Sequence, residues 1–317
     1  MSHRSPRLKA LSGAILTVFA LSTFGLGGGL WSSPVFAQQK QATPTQTDID
    51  KVEGVKVGPK SRALRFASAD EVERTAGVQY EQLKQQSKQQ GALAPDDYPP
   101  LIRVRKIAER MIPHTMRWNE RAKTWRWEVN LIGSKQINAF CMPGGKIAFY
   151  TGIIDSLKLT DDEIATVMGH EIAHALREHG REREGKARVA QVFTIGASVL
   201  SSILGYGNLG GQVASQATQL TLLKYGREDE TEGDLLGMDI AARSGYDPRA
   251  GVKLWEKMAA VSKGSPPQWL STHPSHAKRI DDIKKHLVET MPIYALSKGV
   301  NLADLPPYQS NFGSPVR

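Results

Sequence analysis

The spacing of apolar residues changes period twice along the chain, and each change predicts a different kind of element. Leu101, Ile102, Val104, Ile107 and Met111 recur at helical spacing until Pro113, which cannot continue a helix. Upstream, Ser68 stands three residues before Glu71, the spacing of a capping box, and opens a polar, glutamine-rich helix that fades before Gly91. Between Thr124 and Ile132 the period becomes two. Trp125, Trp127, Val129 and Leu131 fall on one face and Arg126, Glu128 and Asn130 on the other, which predicts a half-buried strand. Asn138 to Met142 and Lys146 to Thr151 read as two more short strands around the turn Pro143-Gly144-Gly145, so a small antiparallel sheet is expected.

Helical spacing then returns from Thr160 to His179. Thr160 and Glu163 have capping-box spacing, Asp161, Asp162 and Glu163 lie in the first turn where the helix dipole favours anions, and Gly180 stands where a C-terminal glycine belongs. Val189 to Leu204 is small and apolar, Gly205 to Gly211 interrupts it, and a more polar helical run reaches Leu223. Sixteen residues are too few to span a bilayer comfortably. The stretch 189–223 therefore reads as a buried helical hairpin or as a flap facing a membrane, an envelope protein or the substrate. Asp247-Pro248 opens a helix to about Ser262. After a loop with Gly264, Pro266 and Pro267, the last helix runs from His273-Pro274-Ser275 to about Glu289, with Ile280, Ile283 and Leu287 on one stripe. The tail beyond Gly299 has no period and reads as irregular and loosely packed, and no internal repeat is found.

Composition narrows the function classes. With 40% hydrophobic residues over 317, the chain can bury a sizeable core and is neither disordered overall nor polytopic in a membrane. Its single cysteine, Cys141, excludes an intramolecular disulfide and any multi-thiolate zinc site, so a metal would be held by histidine and carboxylate. Cys141 itself reads as a small buried residue. Arg4, Arg7 and Lys9 precede an apolar run from Ala10 to about Leu30, followed by Val35-Phe36-Ala37, the pattern of a cleaved secretory signal over 1–37 with an uncleaved anchor as the alternative. No cysteine follows that run to accept a lipid. Beyond residue 37 the balance is 38 basic against 32 acidic residues, spread along the chain without an arginine-rich block, so no nucleic-acid partner is expected. Residues 38–66, rich in Gln, Thr, Pro and charge, read as a flexible linker.

Chemistry concentrates in His170-Glu171-Ile172-Ala173-His174. On a helix, residues four apart stack, so both imidazoles face one cation while Glu171 lies close enough to reach a water activated there. Ile164, Val167, Met168, Ile172 and Leu176 supply the helix's core face. A catalytic zinc needs a third protein ligand. The metzincin pattern would require glycine and histidine where this chain has Arg177 and Gly180, which excludes it. A glutamate on a later helix, with an aspartate one turn on, is the other solution, and Glu230-Thr231-Glu232-Gly233-Asp234 fits it. Glu230 and Asp234 share a helix face, while Glu228, Asp229 and Glu232 read as solvated charges. His179 reads as structural near a helix end, and His114, His276 and His286 as surface.

These segments resemble the gluzincin metallopeptidase family that includes HtpX, the CAAX prenyl protease and bacterial periplasmic quality-control proteases. The resemblance covers about Leu101 to Leu287 and rests on Asn138-Ala139-Phe140 with Pro143-Gly144-Gly145, the His-Glu-x-x-His helix, Arg227 to Gly237, and Ser271-Thr272-His273-Pro274 with Arg279-Ile280. The family usually has serine and alanine where this chain has Gly226 and Gly233. It implies a mainly helical α+β, zincin-like fold with an exposed sheet edge; with the elements read above, the metallopeptidase domain is expected over 67–298 (helical part 67–113, catalytic core 114–290) ahead of a tail at 299–317. It also implies a zinc endopeptidase with one ion per chain on His170, His174 and Glu230. Glu171 would be the general base, and Asp234 would orient a ligand imidazole. Lys146, Ile147 and Ala148 would bind an extended protein or peptide substrate by strand addition, with Asn138 and Ala139 lining the same cleft. In related periplasmic proteases a histidine in the context of His273 either stabilises the oxyanion or blocks the zinc reversibly. Envelope protein quality control in the periplasm is the implied role. A chaperone-like assembly factor with a latent or structural zinc site is the alternative.

Overall fold

A strand extends only as far as its partner, and that sets the sheet of this computed structural model, which describes residues 44–203, 225–262, 267–274 and 278–316. The predicted leader, the run 205–223, His276 and the loop residues Gly264 to Pro266 lie outside these residues. Strand β1 spans Glu128–Ile132, β2 Ala139–Met142 and β3 Lys146–Tyr150, in the order β1-β3-β2. Trp125 and Trp127 continue the alternating pattern upstream but have no strand beside them, because β3 begins only at Lys146, opposite Glu128.

The sheet is mixed, which corrects the antiparallel expectation. β2 and β3 form an antiparallel hairpin with Ala139 opposite Phe149, around Gly144 and Gly145, whose φ values of 83° and 76° need glycine. The hairpin returns β3 between β2 and β1, so β1 and β3 run parallel. The exposed-edge expectation for Lys146, Ile147 and Ala148 is corrected with it. They lie on the central strand, paired on both sides, and Ile147 and Ala148 are fully buried. The outer edge of β1 is occupied too: Leu131 O accepts from Ala94 N, and Val129 O from Arg105 Nε. Among the described residues, the edge left open is that of β2.

Ten helices are described: α1 Gln46–Lys51, α2 Ala69–Gln89, α3 Pro99–Met111, α4 Thr151–Leu157, α5 Asp161–Leu176, α6 His179–Ile203, α7 Arg227–Arg243, α8 Ala250–Val261, α9 Gln268–Thr272 and α10 Arg279–Lys298. The core forms around α5, whose residues from Glu163 to Leu176 are all buried, with α3, β2, α7 and α8 packed on it. Its start matches the pattern: Thr160 and Glu163 complete a reciprocal capping box. Its end does not. The last carbonyl is taken by Asn119 Nδ2 at 3.0 Å, and Glu178 turns the chain in the left-handed region at φ 61°. Gly180, expected to terminate this helix, lies inside α6.

Two segments expected to be loose are fixed. The supposed linker carries α1 from Gln46, buries Ile49 and Val55, and is gripped by a buried ion pair on α7. Arg243 donates to Ile49 O and Val52 O, and Asp239 Oδ2 accepts from Val55 N at 3.3 Å. This strap also buries His114, read as a surface residue, against Asp50. The C-terminal tail is irregular but anchored at the start of α5, where Ser310 Oγ donates to Glu163 Oε1 and Tyr308 OH meets Thr160 Oγ1 at 3.0 Å. Among the described residues no helix is long and apolar enough to cross a membrane.

Helices α5 and α7 cross at Gly169 and Gly237. A β-carbon on Gly169 would lie 2.7 Å from Gly237 O, and one on Gly237 would lie 2.7 Å from His170 N, so the backbones touch. Gly237→Ala should therefore destabilise the protein by about 1–3 kcal/mol in urea unfolding, the range for overpacking a tight contact. Unchanged stability would mean that the crossing relaxes freely.

Candidate metal centre

The contact at Gly169 places the next residue of α5 directly against α7. His170 and His174 lie one turn apart, both buried, with their Nε2 atoms 3.0 Å apart. The first turn of α7 supplies Glu230, fully buried, whose carboxylate oxygens lie 3.7 Å from His170 Nε2 and 3.6 Å from His174 Nε2. His273, just after α9, brings Nδ1 to 3.0 Å from Glu230 Oε1 and 3.2 Å from His170 Nε2. Four donors from three segments thus converge, their ligand atoms all within 4.8 Å of one another.

These residues fit a divalent cation. Four ligands at tetrahedral zinc distances are separated by about 3.3 Å, and the separations here scatter around that value. Three carboxylates, Glu171, Glu230 and Asp234, border the cluster, and the Arg279 guanidinium pairs with two of them, Glu230 and Asp234. Burial, reinforced by the neighbouring imidazoles and by Arg279, pushes the His174 pKa well down, which keeps the ring a neutral donor. For Glu230, burial acts to raise the pKa, but the His273 hydrogen bond and the charges of His170 and Arg279 outweigh it and hold the group below the usual carboxylate range.

Each of the two α5 imidazoles has a partner on its far side. His170 Nδ1 lies 3.1 Å from Asp234 Oδ1, and Arg279 grips the same carboxylate with Nε at 2.5 Å and Nη2 at 2.8 Å. His174 Nδ1 lies 2.7 Å from His179 Nδ1, and His179 Nε2 lies 3.1 Å from Glu232 Oε2. That corrects two expectations: Glu232 is not a solvated charge, and His179 does not merely end a helix. Gly233 has no room for a β-carbon, which would sit 2.7 Å from His170 Cε1, so the ring rests on the α7 backbone.

Glu171 is buried and accepts a hydrogen bond from Trp269 Nε1 at 2.6 Å, with His273 Nε2 at 3.5 Å. The same Trp269 donates its backbone N–H to Ile137 O, immediately before the open β2 edge and beside Asn138 and Ala139. Sequence reasoning missed Trp269, although it lies four residues before His273, on the short helix that His273 follows. It also missed Tyr225, whose ring stacks on His174 with centroids 3.8 Å apart. No spacing signal marks Tyr225.

A zincin-like α+β fold whose central helix carries a His-Glu-x-x-His pair, completed by an acid from a later helix, defines a metallopeptidase domain. The model of peptidase family M48 matches residues 102–287, and the chain belongs to that family. It is 31% identical over 238 residues to the mitochondrial metalloendopeptidase OMA1 of Schizosaccharomyces pombe, covering 73% of this chain and 66% of the relative. The OMA1 of Arabidopsis thaliana is 34% identical over 153 residues, 48% of this chain and 30% of that protein. The beta-barrel assembly-enhancing protease of Yersinia pestis is 29% identical over 220 residues, 65% of this chain and 43% of that protein. The chain thus spans less than two thirds of the length of each of these relatives.

Asp234 gives the site a pH signature. Burial acts to raise its pKa, but Arg279 and the His170 hydrogen bond overcome this and hold it at about 2. An unfolded aspartate titrates near ~3.9, so the pairing contributes about 2.5 kcal/mol of stability that is complete above pH ~4 and is lost as pH falls through ~2. In urea unfolding of the metal-free protein, Asp234→Asn should fall short of wild type by about that amount at pH 6, and the two should converge near pH ~2. A constant gap would assign the effect to packing.

Proposed function

We propose that this chain is an exported zinc-dependent endopeptidase that cleaves extended segments of misfolded or misassembled envelope proteins and rests in a closed, latent form. The convergence of His170, His174 and Glu230 beside the Glu171 carboxylate carries this reading. These three residues hold the zinc. When bound, it supplies Lewis acidity, lowering the pKa of a water to about 7 and polarising the scissile carbonyl. Glu171 takes the proton from the attacking water and returns it to the leaving amine. Asp234 keeps the proton of His170 on Nδ1, so that Nε2 faces the centre.

Substrate orientation falls to the open edge of β2, where an extended chain adds as a further strand along Asn138 and Ala139. The latent form follows from two contacts. His273 takes the fourth donor position, and Trp269 occupies Glu171 with its indole N–H and Ile137 O with its backbone N–H. Cleavage then requires the α9 segment to move out, which frees the base, the fourth position and the start of the edge together. Export is supported by the leader pattern, and the envelope role by the relative named for enhancing β-barrel assembly.

Two variants test the proposal in a casein-digestion assay with zinc content measured in parallel. Glu171→Gln should retain zinc and lose about 10³-fold of activity, in the range for a missing general base. His273→Ala should retain zinc and digest casein faster than wild type, because the competent fraction rises. Wild-type digestion by Glu171→Gln rejects the mechanism. Slower digestion by His273→Ala makes that residue part of the chemistry instead of a latch.

A further inference from the structure

We infer that His179 and Glu232 act as a positioning relay that fixes the tautomer of His174, so that its Nε2 is left bare for the metal. The inference rests on the reading of this site as a metal centre and concerns residues which that reading does not use. Its starting point is the 2.7 Å separation between His174 Nδ1 and His179 Nδ1, both rings being buried. At this separation one of the two ring nitrogens donates and the other accepts. With one proton on each ring, two arrangements satisfy that contact.

In the first, His174 carries its proton on Nδ1 and donates to His179. The proton of His179 is then on Nε2, pointing at Glu232 Oε2 at 3.1 Å, with Asp229 Oδ1 at 3.7 Å. Both nitrogens of His179 then have a partner of the right kind, and His174 Nε2 is left bare toward His170 Nε2 and Glu230, a set of acceptors that a cation would satisfy. In the second, His179 donates from Nδ1 and His174 carries its proton on Nε2, which cannot then bind a cation. His179 Nε2 would also be left bare against the carboxylates of Glu232 and Asp229, acceptor against acceptor in a buried site. The carboxylate selects the first arrangement.

The geometry holds the relay as firmly as the ligands. Arg177, the last residue before the turn, grips Glu232 with Nε at 2.5 Å and Nη2 at 3.0 Å, and its Nη2 also donates to Gly58 O of the N-terminal strap. Glu178 in the left-handed region turns the chain so that His179 folds back on the ring five residues before it. Tyr225 stacks on His174 and limits its rotation. His170 has its carboxylate directly, through Asp234, whereas His174 reaches one through a second imidazole.

The test is zinc affinity of the purified full chain, measured by competition with a chelator of known strength, together with the visible spectrum of the cobalt-substituted protein. His179→Phe fills the same space without either nitrogen and should weaken zinc binding about 10- to 100-fold, the usual cost of removing a ligand's orienting partner. His179→Gln offers one acceptor and one donor and should recover most of the affinity and the wild-type cobalt spectrum. Glu232→Gln can turn its amide N–H₂ toward His179, which permits the wrong tautomer, and should lose about tenfold. That variant decides the matter should the Phe variant not fold. Wild-type affinity in both His179→Phe and Glu232→Gln, or a Gln variant no better than Phe, overturns the relay. Glu230→Gln run alongside separates the two readings. If it loses zinc while His179→Phe binds normally, the relay alone fails; if wild type binds no zinc, the site reading fails and the relay with it.

Discussion

Close approach of two helix backbones is the constraint on which this structure depends. At Gly169 and Gly237 nothing larger than hydrogen fits between α5 and α7, and at Gly233 the backbone of α7 lies against the His170 ring. Glutamate is short, so an acid on one helix meets imidazoles on another only if the helices are in contact. The three glycines supply that contact at some cost in helix propensity, which the buried surroundings of α5 offset. Packing and chemistry are therefore one problem here. A change that loosens the crossing also separates the donors.

The second organising feature is how buried charge is distributed. Acids converge on the centre and cations are placed around them: Arg279 between Glu230 and Asp234, and Arg177 on Glu232. Arg279 holds Glu230 by Oε2 while Oε1 meets His273, and Arg177 holds Glu232 against His179. A buried arginine with two acids is expensive to desolvate, and such networks contribute specificity of geometry more than stability. Both arginines are tied to peripheral segments as well, Arg279 at the start of α10 and Arg177 to the strap at Gly58. Those segments carry little chemistry themselves, yet they fix the orientation of groups that do.

Much of the centre was legible in the sequence because its signals are local. The capping box at Thr160, the four-residue spacing of His170 and His174, and that of Glu230 and Asp234 each follow from one helix's geometry. What was not legible depends on pairing over distance. Alternation along β1 and β3 gives no indication of which strand lies between the others, so the sheet was read as antiparallel and its edge assigned to the wrong strand. The strap at 44–60 looked like linker because it contributes few apolar residues, and its hold comes from Asp239 and Arg243 nearly two hundred residues away. His179 was read as the end of a helix because a glycine follows it, whereas the turn is made by Glu178, a residue type rarely left-handed. Trp269 reaches Glu171 only through the tertiary fold.

The most direct measurement is X-ray absorption at the zinc edge of the purified, metal-loaded protein. Four nitrogen or oxygen neighbours at about 2.0–2.1 Å, with imidazole multiple scattering from at least two rings and no sulfur, is the result expected for His170, His174, Glu230 and a fourth light donor. A sulfur neighbour at about 2.3 Å, or a shell without imidazole scattering, would place the metal elsewhere and contradict the account.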